Sequence, residues 1–283
     1  MNQFKTLVLL SILSALLISI SYFVIGGRTG VIVGLILAAV SNLSSWYFSD
    51  KIALSAYKAQ PLTDQQAPEL YQMVENLAQK AGIPTPAVYL VPTSAANAFA
   101  TGRDPQNAAV AVTQGIVQLL PPDELEGVIA HELSHIRNRD TLTQAVAATI
   151  AGAISFLAQT LSYGLWFMGS SRDNNRGANP LGILLTVILA PIAATVIQLA
   201  ISRTREFAAD ASAAQLTGNP RALASALQRL DNQGKVLPMG GNPAFEPLLI
   251  TNPLSQAFLS SLFATHPPTE ARVQNLLALE KEL

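Results

Sequence analysis

Apolar residues without any charge form four long stretches in the chain. Residues 6–27, 29–49, 141–171 and 177–202 contain no Asp, Glu, Lys or Arg, and each can approach the roughly 20 residues that a bilayer-spanning helix needs. They pair into two predicted hairpins because short loops join them. Pro180 and Pro191 interrupt the last stretch, so the second hairpin is expected to be kinked or only partly lipid-facing. A cleaved signal peptide is the alternative for the first stretch, although its apolar part exceeds the usual h-region of about 7 to 15 residues.

The remaining segments show the periodicities of a mixed helical and β domain. Apolar spacing predicts a helix over Pro68–Ala81 and short strands at Ala87–Val91 and Ala108–Thr113. A helix is predicted after Pro122, with acidic residues in its first turn, and three more helices follow at 205–216, 220–230 and after Pro268. Residues 234–253 are rich in Gly, Pro and Asn, which predicts a long loop, either mobile or folded over a cleft. The predicted fold class is mainly α with a small β-sheet.

Composition supports a membrane part and excludes one class of partner. Half of the residues are hydrophobic and only 12% are charged, whereas soluble domains carry about 25% charged residues. Some apolar surface is therefore expected to face the lipid bilayer. A net charge of -1 provides no basic field for nucleic acid. The chain has no cysteine, so any metal must be held by His and carboxylate.

The distribution of Lys and Arg around the apolar stretches predicts an orientation. Seven of these residues fall on one side of the membrane if the stretches form two hairpins: Lys5, Lys51, Lys58, Arg137, Arg139, Arg203 and Arg205. Three lie in the loops on the opposite side: Arg28, Arg172 and Arg176. The bias places both termini in the cytoplasm. We therefore predict a membrane hairpin over residues 1–49, a second one over 141–202, and one cytoplasmic domain formed by 50–140 and 203–283.

A His-Glu-Leu-Ser-His sequence carries the chemistry. His131 and His135 lie four residues apart on a predicted helix, so both imidazoles leave the same helix face and can bind one zinc ion. Glu132, between them, is predicted to act as the general base that takes a proton from zinc-bound water. Two surface histidines on an ordinary helix are the alternative. The chain has only three histidines, and this spacing rarely arises from composition alone.

A catalytic zinc usually has three protein ligands and one water, so a further ligand must come from elsewhere in the chain. Glu206 is the best candidate because it begins the first polar helix after the second hairpin. Asp210 lies one turn later, where it can accept a hydrogen bond from a ligating imidazole. Alternatively, Glu206 forms a surface salt bridge to Arg203 or Arg205.

The combination of motifs closely resembles the HtpX-type heat-shock membrane proteases and, more distantly, the CAAX prenyl endopeptidases. The resemblance covers nearly the whole chain, and four segments carry it: His131-Glu132-x-x-His135, Ser202-Arg203-x-Arg205-Glu206-Phe207-x-Ala209-Asp210, Asn97-Ala98-Phe99-Ala100 and Thr265-His266-Pro267-Pro268. It implies a gluzincin-like fold with one zinc per chain, Glu206 as the third ligand and Asp210 supporting an imidazole. It also implies a zinc metalloendopeptidase of the plasma (inner) membrane that degrades misfolded or damaged membrane proteins.

Three further residues are candidates for substrate or transition-state contacts. The family pattern suggests that His266 and Arg272 stabilise an oxyanion; capping of the last helix and pairing with a carboxylate are their structural alternatives. Asn97 is a candidate for holding the substrate backbone beside Ala108–Thr113, a strand whose edge can bind an extended peptide. A turn residue is the alternative for Asn97.

Two rival functions fit parts of the pattern. A catalytically inactive, zinc-stabilised membrane scaffold would not need Glu132, because structural zinc sites need ligands but no general base. A transporter or channel would suit four spans, but no Asp, Glu, Lys or Arg lies inside any of them, whereas ion pathways usually place ionisable groups there. The sequence therefore favours a membrane protease that acts on polypeptides.

Overall fold

The computed structural model describes residues 2–152, 154, 203–240, 245, 248–251 and 267–281. The helices are α1 (Asn2–Ile25), α2 (Gly27–Tyr47), α3 (Ser49–Ala56), α4 (Pro68–Ala81), α5 (Gln114–Leu119), α6 (Pro122–Arg137), α7 (described over 141–152), α8 (Arg203–Thr217), α9 (Pro220–Val236) and α10 (Thr269–Leu279). The strands are β1 (Gln60–Pro61), β2 (Ala87–Val91), β3 (Ala98–Gly102) and β4 (Ala108–Thr113). The protein is thus mainly α-helical with a small mixed sheet, as predicted.

Local signals in the sequence explain where most elements begin and end. The bounds of α4, β2 and β4 are those predicted. Helix α4 ends at Gly82, whose φ of 70° suits a residue without a side chain. The Asn219 side chain caps α9 by accepting a hydrogen bond from the Ala222 N–H. Helix α9 extends to Val236, so the predicted loop over residues 234–253 begins later than expected.

Much of the second predicted hairpin lies outside the described residues. Residues 141–152 form a helix, and the next 50 positions are described only at Ile154. The described part of α7 is largely buried against α1, with Val146, Ala147 and Ile150 at most 2% exposed. The division of the chain into 1–49, 50–140 with 203–283, and 141–202 therefore stays a prediction.

The observed sheet shows that the predicted free edge on Ala108–Thr113 is wrong. Its order is β1-β2-β4-β3, with β2 parallel and β3 antiparallel to β4. Strand β4 is therefore paired on both sides and cannot bind an extended peptide, whereas β3 and the two-residue β1 are the edge strands. Residues 98–102 form β3 although the sequence predicts no strand there. All five residues of β3 are buried, so the strand lacks the alternation of polar and apolar residues that identifies a half-exposed strand.

Alternate residues of the sheet contribute to two hydrophobic clusters on its opposite faces. Val110 and Val112 of β4 belong to a core with α4, α6, α9 and α10. Ala109 and Ala111, and Phe99 of β3, belong to a second cluster that includes residues of α1, α3 and α7. Because successive strand residues point to opposite faces, one thin sheet joins this core to the N-terminal hairpin.

Helices α1 and α2 form a closely packed hairpin with an apolar exterior. Gly30, Gly34 and Ala38 follow one another at intervals of four residues on the buried face of α2. A Cβ added to Gly34 would lie 2.6 Å from the Ile18 Cα, so the two backbones are in direct contact. Such spacing of small residues is typical of helix packing in membranes. Within the described chain, α2 is the one helix long and apolar enough to cross a membrane, with a mean hydropathy of 1.6.

We expect Gly34→Leu to destabilise this hairpin, because the new side chain would have to occupy the space of the α1 backbone. Overpacking of this kind costs about 1–3 kcal/mol. Thermal unfolding of the detergent-solubilised protein measures the effect. Ala39→Leu, on the exposed face of the same helix, is the matched control and should leave the midpoint unchanged. Equal midpoints for both variants would contradict the proposed contact.

Candidate metal centre

Helix α6 places the two motif histidines on one buried face. Pro122 begins the helix, and Asp123 and Glu124 lie in its first turn. The helix dipole stabilises negative side chains at this end. His131 and His135 are 1% and 4% exposed. Their Nε2 atoms are 3.1 Å apart, so the one-turn spacing brings both ring nitrogens to the same point.

Glu206 reaches that point from α8. Its Oε2 lies 3.8 Å from the His131 Nε2, and its Oε1 lies 3.6 Å from the His135 Nε2. One ligand atom from each residue lies within 4.8 Å of the other two. Tetrahedral zinc with bonds of about 2.0–2.1 Å separates its ligand atoms by about 3.3 Å. Glu206 is fully buried, which rules out the surface salt bridge, and the three residues have the spacing of a metal site.

Two aspartates fix the orientation of the imidazoles. The Asp210 Oδ1 lies 2.9 Å from the His131 Nδ1, as predicted for Asp210. The Asp140 Oδ2 lies 3.2 Å from the His135 Nδ1. A carboxylate accepts the Nδ1 proton of a neutral imidazole, which leaves the lone pair on Nε2. Both Nε2 lone pairs therefore point at the space beside Glu206, as metal binding requires.

The sequence does not predict the role of Asp140, because Arg139 and not a glycine occupies the left-handed position of the turn that carries it. The Asp140 N–H donates to the His135 carbonyl and the Arg139 N–H donates to the Ile136 carbonyl, the pattern of a Schellman motif at the end of α6. Arg139 occupies the left-handed position with φ 57°. This turn brings the Asp140 side chain back to the ring of His135. Arg205, which precedes Glu206 in the sequence, donates from its Nη1 to the Asp140 Oδ1 at 3.2 Å.

Burial and neighbouring charges shift the pKa values of the central residues. Burial raises the pKa of Glu132 to about 7, and the Glu206 carboxylate adds to the rise. Burial lowers the pKa of His131 to about 4, so its ring is neutral at pH 7. Burial would also lower the pKa of His135, but Asp140, Glu206 and Glu132 outweigh it and raise that pKa to about 9. In the absence of metal, this negative environment therefore holds a proton on His135.

The charges of the buried residues match a divalent cation. Four carboxylates surround the two histidines, from Glu132, Asp140, Glu206 and Asp210, and each is at most 2% exposed. Two guanidinium groups, from Arg205 and Arg272, pair with the two aspartates. The carboxylates thus exceed the guanidinium groups by two negative charges, of which the proton on His135 offsets one while no metal is bound. Unpaired charge is costly to bury, and a divalent ion between the two Nε2 atoms and Glu206 would neutralise it.

Arg272 is held by a carboxylate, the structural alternative given for it above. Its Nε and Nη2 donate to the two Asp210 oxygens at 2.8 and 2.6 Å, and its Nη1 donates to the Ile250 carbonyl at 3.1 Å. Burial would raise the pKa of Asp210, but the charge of Arg272 and its hydrogen bonds outweigh burial and lower it. Arg272 thus keeps ionised the aspartate that orients His131. A contact of Arg272 with an oxyanion stays a prediction.

The Asn97 side chain is used within the protein. Its Oδ1 accepts hydrogen bonds from the N–H groups of Ala98 and Ile250, and its Nδ2 donates to the Thr251 carbonyl. The Ile250 N–H also contacts the Ala98 carbonyl. Residues 250 and 251 therefore lie along the outer side of β3. Asn97 bonds to these residues of the protein itself, whereas the sequence predicts that it holds substrate beside Ala108–Thr113. His266 lies outside the described residues, so its role stays a prediction.

Comparison with known proteins gives the same assignment as the geometry. The model of Peptidase family M48 matches residues 64–280, most of the chain. The chain belongs to this family. It is a metalloprotease, and the predicted resemblance to HtpX-type proteases is confirmed. A protein named Protease HtpX homolog from Trichormus variabilis is 70% identical over 283 residues, covering 100% of this chain and 98% of the relative. Another of that name, from Pyrococcus abyssi, is 50% identical over 99% of this chain and 96% of the relative.

A solved structure of S. mikatae Ste24p is also similar, at 20% identity and a TM-score of 0.49. The similarity covers 86% of this chain and spans 57% of the length of that protein. His131, His135 and Glu206, the described residues that can hold a metal, lie inside the range matched by the family model.

Replacing the residue that orients His135 should weaken metal binding. Asp140→Asn removes a charged acceptor from the His135 Nδ1, and loss of such a partner typically costs about 10- to 100-fold in metal affinity. Chelator competition with zinc on the purified protein measures the change. Asp123→Asn, an exposed acid at the start of the same helix, should bind zinc like the unmodified protein. An unchanged affinity in Asp140→Asn would show that Asp140 does not support the site.

We expect Asn97→Ala to lower stability, because buried backbone groups at positions 98, 250 and 251 lose a partner. The expected loss is about 2 kcal/mol, measured by unfolding in detergent and by hydrogen exchange at Ile250. Gln118→Ala, at an exposed helical position, is the control. Unchanged stability together with a raised KM for peptide would instead support direct substrate binding by Asn97.

Proposed function

We propose that this metalloprotease is a membrane-bound zinc endopeptidase whose zinc is held by His131, His135 and Glu206. The observation that carries the proposal is the convergence of three buried ligand atoms within 4.8 Å. Glu132 is close enough to His135 and Glu206 for their charges to shift its pKa. Two imidazoles and one carboxylate form a common ligand set of catalytic zinc in proteases. Three protein ligands leave a position open for water or substrate, whereas the rival structural zinc site would fill all four.

Zinc, when bound, lowers the pKa of a coordinated water to about 7 and polarises the carbonyl of a peptide bond. Glu132 supplies the proton transfers. Its buried carboxylate is hydrogen-bonded by the Ala100 backbone, and its pKa is raised to about 7, close to the value at which a general base works best at neutral pH. Glu132 takes the proton from the attacking water and then delivers it to the leaving amine.

The remaining buried charges hold the ligands in place during the reaction. Asp210 and Asp140 keep His131 and His135 in the tautomer whose Nε2 lone pair faces the metal position. Arg272 and Arg205 in turn hold these two aspartates. Because the groups sit in a buried and hydrogen-bonded network, they need little reorganisation when charge develops in the transition state.

The substrates are proposed to be polypeptides, chiefly misfolded or damaged membrane proteins. The apolar hairpin of α1 and α2 supports attachment to the bilayer, and the Lys and Arg distribution supports a multi-pass protein of the plasma membrane with its protease domain and both termini in the cytoplasm. Relatives named Protease HtpX homolog support the proteolytic activity. The role in quality control and the gluzincin-like architecture rest on the resemblance to that group.

Glu132→Gln tests this function directly. The amide keeps the size of the side chain but cannot accept the proton of water, so zinc should stay bound while hydrolysis falls by about 10²- to 10⁴-fold. Metal content and cleavage of an unfolded casein-like substrate are measured on the detergent-purified, zinc-loaded protein. His131→Ala is the contrasting variant, which should lose zinc and activity together.

Hydrolysis at the unmodified rate by fully zinc-loaded Glu132→Gln would overturn the proposed role of Glu132. Zinc binding without any peptide hydrolysis by the unmodified protein would favour the scaffold. Ion or solute flux in sealed vesicles would favour the transporter.

A further inference from the structure

Both open ends of the α1–α2 hairpin contact segments that lead straight to the metal centre. The end of α2 contacts Arg103, the residue that follows the edge strand β3, and the beginning of α1 contacts the beginning of α7. A hydrogen bond between Thr141 and Gly102 joins the two contact regions, and each can be followed residue by residue to a side chain of the centre.

The first path runs through β3. Arg103 Nη1 donates to the Tyr47 carbonyl at 3.3 Å, and the Thr101 hydroxyl donates to the Ser49 carbonyl at 3.5 Å. Next to Thr101, the Ala100 backbone interacts with the Glu132 carboxylate on the strand against which α6 packs. One strand residue spans about 3.3 Å, and the Thr101 hydroxyl is 3.5 Å from the Ser49 carbonyl. Glu132 therefore lies within about 15 Å of Ser49, the first residue of α3.

The second path runs through α7. The Thr6 and Thr143 hydroxyls are 2.9 Å apart and buried. Asp140, which contacts the His135 ring, lies three residues before Thr143, about 5 Å along a helix. The Thr141 hydroxyl between them donates to the Gly102 carbonyl at 2.9 Å and so connects the two paths.

The end of α2 has the composition of a membrane–water interface. Trp46, Tyr47 and Phe48 are 44%, 49% and 41% exposed. The Arg103 guanidinium lies 4.6 Å from the centre of the Tyr47 ring, and the Lys51 amine lies 5.5 Å from that of Phe48. Aromatic rings and cations concentrate where hydrocarbon meets headgroups. The exposed residues of α2 before this cluster are large and apolar, among them Ile32, Leu35, Ile36, Val40 and Leu43.

We propose that the metal centre is fixed at the surface of the bilayer and that its substrates are juxtamembrane segments, meaning extended polypeptide that directly adjoins a membrane-spanning segment. This inference rests on the proposed zinc endopeptidase function. The first path places Glu132 no more than about 15 Å from Ser49, which follows the interfacial residues Trp46, Tyr47 and Phe48 directly in the chain, and the second connects the start of α1 to Asp140 beside His135. A peptide bond anchored at that height needs only a short extended connection to reach the site.

Contacts at both helices make the height a fixed property of the fold. A single contact would allow the protease domain to tilt about one point, but Arg103 bonds to the end of α2, Thr101 bonds to the first residue of α3, and Thr6 of α1 bonds to Thr143 of α7. Residues of α1, α3, α7 and β3 share one hydrophobic cluster between these contacts. Cleavable segments that are held far above the membrane are therefore expected to be poor substrates.

A set of anchored substrates with rigid spacers tests the proposal. Each substrate joins one membrane-spanning helix, a helical (EAAAK)n spacer, an unfolded casein-derived segment of roughly ten residues and a folded protease-resistant domain. Spacers of about 0, 10, 20 and 30 residues raise the segment by up to about 45 Å at about 1.5 Å per residue. The zinc-loaded full chain is reconstituted with them in vesicles, and cleavage is mapped by mass spectrometry.

Cleavage should be fastest without a spacer and at least about tenfold slower with the two longest spacers, because the effective concentration of a tethered group collapses when the tether cannot span the distance. The four substrates should be cleaved at equal rates in detergent, where no bilayer sets a height. Equal rates in vesicles would overturn the proposal. Absence of cleavage in both vesicles and detergent would instead defeat the endopeptidase function.

A depth measurement that does not require activity decides the proposal independently. The chain contains no cysteine, so Gln106→Cys and Lys80→Cys each provide one labelling site. Gln106 is exposed and lies three residues after Arg103, whereas Lys80 lies on α4, which packs on the sheet face away from the hairpin. A fluorophore at position 106 should be quenched more strongly by headgroup-nitroxide lipid than one at position 80. Equal quenching at the two positions would overturn the proposed location of the site.

Discussion

The centre depends on burying several charges of the same sign close together. Glu132, Glu206, Asp140 and Asp210 are at most 2% exposed, and such groups are tolerated in a protein interior only when opposite charges and hydrogen bonds compensate them. Arg272 and Arg205 compensate two of them. A divalent ion would compensate the remaining negative charge. The same buried carboxylates are therefore costly to bury without metal and favourable for metal binding. The arrangement of α6, α8 and α10 around the centre follows from this requirement, because each supplies at least one of the charged groups.

The small sheet connects the metal centre to the rest of the molecule. Strand β4 is flanked on both sides, and β3 presents Ala98 and Ala100 to one cluster and Phe99 to the other. Small alanine side chains allow α6 to approach the edge strand closely enough for the Ala100 backbone to hydrogen-bond Glu132. A bulky residue at that position would push Glu132, the proposed general base, away from the strand. Strand β3 thus helps to position Glu132 and also contacts α3, which follows the N-terminal hairpin.

The outer side of β3 is also largely occupied. Residues 250 and 251 bond to Asn97 and Ala98 at one end, and Thr141 bonds to Gly102 at the other. Backbone groups at the edge of a sheet readily bind another extended segment, and here the protein satisfies several of them itself. An extended substrate that pairs with β3 would therefore meet Ala100 at the centre of the strand and the chain's own segments on either side.

The sequence alone determined the features that depend on local spacing. His131 and His135 face the same way because they are one helical turn apart, and the limits of α4, β2 and β4 follow from Pro, Gly and apolar periodicity. Glu206 needed the resemblance to a family, since no local rule connects a residue on α8 with a helix about 70 positions earlier. Asp140 reaches His135 through a local turn that Arg139 gives no sequence reason to expect. Only the tertiary structure decided that Arg272 binds Asp210, that Asn97 bonds to residues 250 and 251, and that β3 is an edge strand. These contacts join segments whose proximity is set by packing: β3 is buried on both faces and gives no alternating signal, and a buried charge reveals its partner only once the chain has folded around it.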